Sequence, residues 1–202
     1  MANLTIFLLL GIAIGVLAAV MLVPAAYAFA MGAFDVSLGF GIAALITAFV
    51  GVALYVATRG RIRPLSRIQT VAFALVVWTV LPIFAAIPFV AAPMNLTFVS
   101  ALFEATSAFT TTGAASYPLE KYPMPYIFWF ALLQWLGGFL SLVTVFTIVA
   151  PSGLCGSLTQ VAIRGHDSDD FVQTLKTTVL ALLPAYSLFT LVCFIILWAV
   201  GI

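Results

Sequence analysis

The first charged side chain in this sequence is Asp35, so the chain opens with a long run of uncharged and mostly apolar residues. A helix that crosses the hydrocarbon core of a bilayer needs about 20 such residues. Five runs reach this length: Leu4–Met31, Ser37–Thr58, Thr70–Ala92, Ile127–Ala150 and Val179–Ile202. The pattern predicts an all-α membrane protein with five transmembrane helices. Because Met1–Thr5 lacks the Lys or Arg of a signal peptide, we expect the first helix to be retained.

Composition supports this class and argues against several functions. Hydrophobic residues make up 65% of the chain and charged residues 6%, whereas soluble domains carry about 25% charged residues. A net charge of +1 gives no reason to expect nucleic acid as a partner. Cys155 and Cys193 are too few and too far apart to predict a disulfide framework or a metal site. The sequence shows no nucleophile–base pair, phosphate-binding loop or dinucleotide fingerprint, so we expect neither an enzyme nor an organic cofactor.

A cluster of arginines sets the expected orientation. Four of the seven cationic residues lie in one short loop: Arg59, Arg61, Arg63 and Arg67. Basic residues concentrate in cytoplasmic loops, so this loop and the N-terminus are predicted to be cytoplasmic and the C-terminus to lie outside. A phosphate site for a lipid headgroup or a nucleotide is the less favoured interpretation. Pro82 and Pro88 are expected to bend the outer half of the span that follows the loop.

The segment Leu96–Phe109 is apolar but too short to cross a bilayer. The stretch after it, Ser116–Pro125, contains two charged residues and three prolines and is predicted to be an exposed loop. If the short helix crossed fully, Arg164 and Lys176 would lie outside the cell. If the short helix enters the membrane and returns to the same side, Arg164 and Lys176 lie in the cytoplasm. The second arrangement agrees with the tendency of basic residues to lie in cytoplasmic loops. The sequence therefore predicts a re-entrant helix.

The short helix ends in Thr110-Thr111-Thr112-Gly113. Non-helical backbone at membrane depth is tolerated only where protein or water covers it, so a lined cavity is expected here. Thr offers a hydroxyl and a carbonyl to a cation, and Gly113 can adopt positive φ, so that successive carbonyls can point one way. Rings of backbone carbonyls are a known solution for potassium selection. A Thr-rich helix end with a glycine cap is the alternative interpretation.

Two sequence motifs carry a family resemblance. Phe103–Ala114 reads FEATSAFTTTGA and closely resembles the first pore loop of the Trk/Ktr/HKT potassium-transporter superfamily, most of all its TrkH-like branch. A second motif, Gln134-Trp135-Leu136-Gly137-Gly138, follows on the next helix at the distance expected in that family. Two leading helices before the first membrane–pore–membrane repeat also match the branch. The resemblance covers the whole chain and implies a bacterial inner membrane as its location.

The resemblance implies a division of the chain and a role for individual residues. Residues 1–68 would be two leading helices, 69–151 a membrane–pore–membrane repeat with a filter-like loop at 110–114, and 152–202 a cytoplasmic loop and one further helix. By motif, the candidate filter residues are Thr110, Thr111, Thr112 and Gly113. The candidate supporting residues are Glu104, Gln134, Gly137 and Gly138. Glu104 would hold the filter by hydrogen bonds or add a cation-attracting field, and an acid at the outer interface is the alternative.

In that family four repeats surround one pore, whereas this sequence holds one filter segment and the opening helix of a second repeat. We therefore expect a potassium-transport subunit that needs another membrane protein chain to complete the pore, with K+ as the candidate ion and lipids as further partners. A homo-oligomer is less favoured. The alternative is a structural subunit that does not transport, because the sequence departs from the family pattern and becomes more apolar. Ala108 stands where the family usually has Gly, Phe130 and Ala131 where it often has a polar and cationic pair, and Phe139-Leu140-Ser141 where it tends to have a Met-Gly-Ile-like stretch.

Two smaller motifs have competing interpretations. His166 lies beside Asp167, Asp169 and Asp170, a cluster that could bind a metal or respond to pH, although an acidic cap before a helix at Phe171 is favoured. Asn95-Leu96-Thr97 fits a glycosylation acceptor, and we favour its use as the N-cap of the short helix.

Overall fold

The structure is a computed structural model that describes residues 3–60, 65–91, 93–116, 118, 121–149 and 171–201. Within these residues the chain is all-α. Its helices are α1 (Asn3–Ala30), α2 (Phe34–Thr58), α3 (Arg67–Ala85), α4 (Ile87–Val90), α5 (Phe98–Phe109), α6 (Met124–Thr144) with a π-helical continuation (Val145–Val149), and α7 (Phe171–Val200). Five stretches of helix are long and apolar enough to cross a membrane, and α5 is a shorter apolar helix. The predicted fold class is confirmed.

The third span is interrupted at its prolines, as the sequence predicts. Pro82 lies inside α3, and α4 begins at Ile87 with Pro88 in its first turn. The interruption frees backbone carbonyls that aromatic side chains of α6 then pair. The indole Nε1 of Trp129 donates to the carbonyl of Ala85 at 3.2 Å, and the hydroxyl of Tyr126 donates to the carbonyl of Pro88 at 3.3 Å. Because lipid cannot hydrogen-bond a carbonyl, these side chains make the bent span compatible with a membrane.

Close backbone contact joins α1 to α2. A Cβ added to Gly11 would lie 2.9 Å from the carbonyl oxygen of Gly51, and one added to Gly51 would lie 2.9 Å from the nitrogen of Gly15. Helices in lipid gain little from burying apolar side chains against each other, so close van der Waals contact through small residues holds them together. Gly51 of the second span therefore serves packing against the first.

The arginine loop joins the end of α2 to the start of α3. The backbone N–H of Arg59 donates to the carbonyl of Tyr55 at 2.8 Å and closes α2. Ser66 and Gln69 form a capping box: each side chain accepts from the other residue's backbone N–H, at 3.4 Å to Ser66 Oγ and 2.9 Å to Gln69 Oε1. Arg67 is the first residue of α3, and positions 61 and 63 lie outside the described residues.

The chain divides into two compact units, residues 1–138 and residues 139–202. In the second unit, the ring of Phe139 packs against the ring of Tyr186, with 5.6 Å between centroids. None of the 30 residues of α7, all of which the structure describes, is buried. Residues 151–170 lie outside the described residues, and with them the predicted cluster at His166 and the basic residue Arg164. The division at 68 and 151 by resemblance stays a prediction.

Candidate functional site

The short helix α5 is the scaffold of the site. Its 12 residues span about 18 Å at 1.5 Å per residue, too short for a hydrocarbon core of about 30 Å. At its start, Thr97 Oγ1 accepts a hydrogen bond from the N–H of Ser100 at 3.3 Å, so the structure supports the capping interpretation of Asn95-Leu96-Thr97. At its end, Thr110 leaves the helix and the chain enters the TTTG turn, defined here as Thr110–Gly113.

The end of α5 is capped by a threonine and not by the glycine. Thr111 has φ +58°. Its N–H donates to the carbonyl of Ala108 at 2.9 Å, and the N–H of Thr112 donates to the carbonyl of Ser107 at 2.9 Å. This pair of bonds around a left-handed residue is a Schellman cap. Gly113 lies two residues beyond the left-handed cap position and has its own positive φ of +74°, so the glycine-cap interpretation is wrong.

The TTTG turn carries several polar groups that are not buried in the protein. All four of its residues are exposed. Thr110 Oγ1 donates to the carbonyl of Thr106 at 2.8 Å and lies 2.9 Å from Thr112 Oγ1, so these two hydroxyls form a pair. Among the described residues, none donates a hydrogen bond to the carbonyl oxygens of Thr110, Thr111, Thr112 or Gly113. The turn therefore offers oxygen ligands of the kind a hard cation prefers.

Glu104 lies on the opposite, inner side of α5. It has no exposed surface, and its Oε1 accepts from both the N–H and the hydroxyl of Ser116, at 2.7 and 2.6 Å. Its Oε2 and the hydroxyl of Ser107 are buried and have no hydrogen-bond partner among the described residues. The structure therefore places Glu104 in the interior, away from the water-facing position of an interfacial acid.

The second motif packs α6 against the end of α5. A Cβ on Gly137 would collide with the carbonyl oxygen of Phe109, so only glycine permits this approach. The side-chain Nε2 of Gln134 lies 3.2 Å from where a Cβ would stand on Gly113. The Phe109 ring also packs against Trp78 with 5.3 Å between centroids. Gln134 and Gly137 thus meet the turn and its helix, and Gly138 is half-buried on α6.

Sequence reasoning missed one residue of this site, Ser116, and the capping role of another, Thr111. Ser116 carries no motif of its own, and its partner Glu104 lies outside the range of local periodicity. Thr111 was a candidate ligand but not a candidate cap, because the neighbouring glycine is the usual residue at a left-handed position. No group of three or more His, Cys, Asp or Glu side chains that could hold a metal occurs in the described part of the chain.

Comparison with known proteins points to one family. The profile of the TrkH family, described as a cation transport protein, matches residues 39–202. The Trk system potassium uptake protein TrkH of Escherichia coli (strain K12) is 34% identical over 128 residues, which cover 61% of this chain and 26% of that protein. An uncharacterized cation transporter of Methanocaldococcus jannaschii is 28% identical over 137 residues, which cover 66% of this chain and 28% of that protein.

The fold has a counterpart among solved structures. The crystal structure of the potassium transporter TrkH from Vibrio parahaemolyticus superposes with a TM-score of 0.78 at 24% identity, covering 100% of this chain and 40% of that one. The chain spans about a quarter of the length of the curated relatives it matches. The family is one of cation transporters and not of enzymes. The family profile matches most of the chain, and the helical fold agrees with that of a solved family member. This chain is therefore an integral membrane protein that belongs to the TrkH cation transport protein family.

Proposed function

We propose that this chain is a potassium-transport subunit and that its TTTG turn supplies one quarter of a cation filter. The observation that carries the proposal is the set of four backbone carbonyls, in an exposed turn, that accept no hydrogen bond from the described residues. Backbone carbonyl oxygens that replace the water shell of a cation are a known basis of potassium selection. Carbonyls without a partner in the protein are available for this use.

The capping geometry supports the same conclusion. A β-branched residue in the left-handed region is strained, by about 1–3 kcal/mol. A helix that only needed to end would place its glycine at position 111, yet the glycine is at 113. Gly113 therefore answers a second requirement, a backbone reversal in the exposed part of the turn beside Gln134. A filter strand has this requirement and a plain helix end does not.

One turn cannot enclose an ion, so the pore needs three more filter segments. We propose that a partner membrane protein chain carries them, with copies of this chain as the less favoured source. In the proposed orientation the arginine loop faces the cytoplasm of a bacterial cell, the N-terminus lies on the same side, and the turn is reached from outside. Gln134 and Gly137 support the filter from α6, and Gly138 is proposed to assist them.

The alternative, a structural subunit that does not transport, rests on apolar replacements at family positions. Two of these, Ala108 and Phe130, are 0% and 6% exposed and pack in the interior. The turn itself is exposed and keeps its polar groups. Because none of the replacements lies in the turn, and Ala108 and Phe130 are packing positions, they favour a changed scaffold around an intact filter segment.

Complementation tests the proposal. The chain is expressed in a bacterial host that cannot take up potassium, alone and with the membrane protein encoded beside it, and growth and Rb+ uptake are measured at low potassium. We expect uptake from the wild type and its loss in Gly113→Ala, because alanine is strained at φ +74° and narrows the space beside Gln134. Gly32→Ala is the matched control, with φ +75° and open space around it.

Two results would contradict the transport proposal. The first is no uptake under either condition with inserted, folded protein. The second is equal uptake by the wild type and Gly113→Ala. Native mass spectrometry of the gently solubilised protein separates the alternatives further, since assembly with a non-transporting complex would support the structural subunit.

A further inference from the structure

Two buried groups on α5 hold the polypeptide on both sides of the TTTG turn. Glu104 and Ser107 are three residues apart and so lie on the same helix face, where they are 0% and 6% exposed. The carbonyl of Ser107 accepts the N–H groups of Thr112 and Gly113, at 2.9 and 3.3 Å, and fixes the middle of the turn. The carboxylate of Glu104 accepts hydrogen bonds from the N–H and the hydroxyl of Ser116 and fixes the segment that follows the turn.

The Glu104 contact has the features of a specific tether. Both bonds end on one carboxylate oxygen and are short, at 2.7 and 2.6 Å. They close a segment of 12 residues that contains the whole turn. Between the end of α5 at Phe109 and Ser116, the segment contains only the exposed turn Thr110–Gly113 and residues 114 and 115.

We propose that Glu104 and Ser116 form a clasp that sets the position of the TTTG turn and thereby the ion selectivity of the filter. Glu104 acts as a positioning residue through Ser116. It does not act as an ion ligand, because Glu104 is fully buried while all four residues of the turn are exposed. This assignment makes Ser116 a selectivity-determining residue. Its effect on ion selectivity rests on the proposed transport function.

The first test measures the clasp without transport. Backbone amide hydrogen exchange is followed by NMR on the full chain in lipid nanodiscs. Ser116→Ala removes one of the two bonds to Glu104. We expect it to raise the exchange rates at Thr112 and Gly113 about tenfold, because the segment that follows the turn is then held less firmly. Glu104→Ala removes both bonds and is expected to have a larger effect at Ser116, Thr112 and Gly113 alike.

Two further variants separate positioning from general damage. Ser116→Thr keeps a hydroxyl and is expected to retain slow exchange. Ser100→Ala removes a hydroxyl at the far end of α5, where it bonds Thr97, and is expected to leave the turn unchanged. Faster exchange confined to residue 116, with Thr112 and Gly113 unaffected, would overturn the clasp.

The second test reads selectivity in cells. The uptake ratio of Rb+ to Na+ is measured for equal amounts of inserted protein under the conditions in which the wild type supports uptake. We expect Ser116→Ala to lower the ratio about tenfold and Ser116→Thr to restore it, whereas an unchanged ratio would overturn the selectivity role. A wild type without uptake would count against the proposed function, and the exchange measurement would still decide whether the clasp exists.

Discussion

The substitution Gly137→Ala tests how the second motif supports the turn. A Cβ at this position would collide with the carbonyl oxygen of Phe109 and lie 2.7 Å from its carbonyl carbon. These are backbone atoms at the end of α5, so no flexible side chain can move aside. Overpacking typically costs about 1–3 kcal/mol, and a collision with backbone belongs at the upper end of that range, about 3 kcal/mol.

Gly41→Ala is the matched control for this substitution. Gly41 is also a helical glycine, in α2, but a Cβ there meets nothing within 4 Å. Alanine is a better helix former than glycine, so this change is expected to stabilise the protein by up to about 1 kcal/mol. The two variants should therefore move stability in opposite directions.

The assay is thermal or denaturant unfolding in lipid nanodiscs, followed by circular dichroism and by tryptophan fluorescence. Trp78 reports on the end of α5, because its ring packs against Phe109 with 5.3 Å between centroids. We expect Gly137→Ala to lower the unfolding midpoint and to change the Trp78 emission of the folded protein. Equal stability of Gly137→Ala and Gly41→Ala, with unchanged emission, would refute the close approach of α6 to α5.

Three further measurements address the cap, the bent span and the orientation. Thr111→Gly should raise stability by up to about 1 kcal/mol in unfolding experiments, because it relieves the strain of a β-branched residue at φ +58°; a loss would argue against that backbone. Trp129→Phe should cost about 2 kcal/mol by leaving the carbonyl of Ala85 unpaired, whereas the exposed Trp198→Phe should cost little. A cysteine introduced at Gly60 in a cysteine-free background should react with impermeant maleimide only from the cytoplasmic side, and external labelling would reverse the proposed topology.

The helices were predictable because the membrane imposes a length on them. An apolar run either reaches about 20 residues or does not, so five spans and one short helix follow from counting. Helix ends do not follow from this count. The last apolar run begins at Val179, whereas its helix already includes Phe171, where the acidic stretch before it predicts a helix start, because polar residues such as Lys176 lower the hydropathy of the first turns without opposing helix formation.

The candidate site was predictable only as far as its motifs reach. The TTTG turn and the residues Gln134 and Gly137 could be named from sequence, and the structure brings them together. The bonds between Glu104 and Ser116 could not, because they depend on how a loop folds back across 12 residues. The left-handed Thr111 was also hidden, since local preference assigns that conformation to the glycine nearby.

The supports of the turn are all contacts within this chain. Gly137 meets Phe109, Gln134 meets Gly113, and Glu104 holds Ser116, while the four residues of the turn remain exposed. A filter discriminates between ions by the number and spacing of oxygens around them, and that spacing is set jointly by opposing segments. One chain can therefore fix the position of its own oxygens but not their distance to the others. It follows that substitutions in the supports should change selectivity before they abolish uptake, whereas loss of the facing segments should abolish uptake altogether.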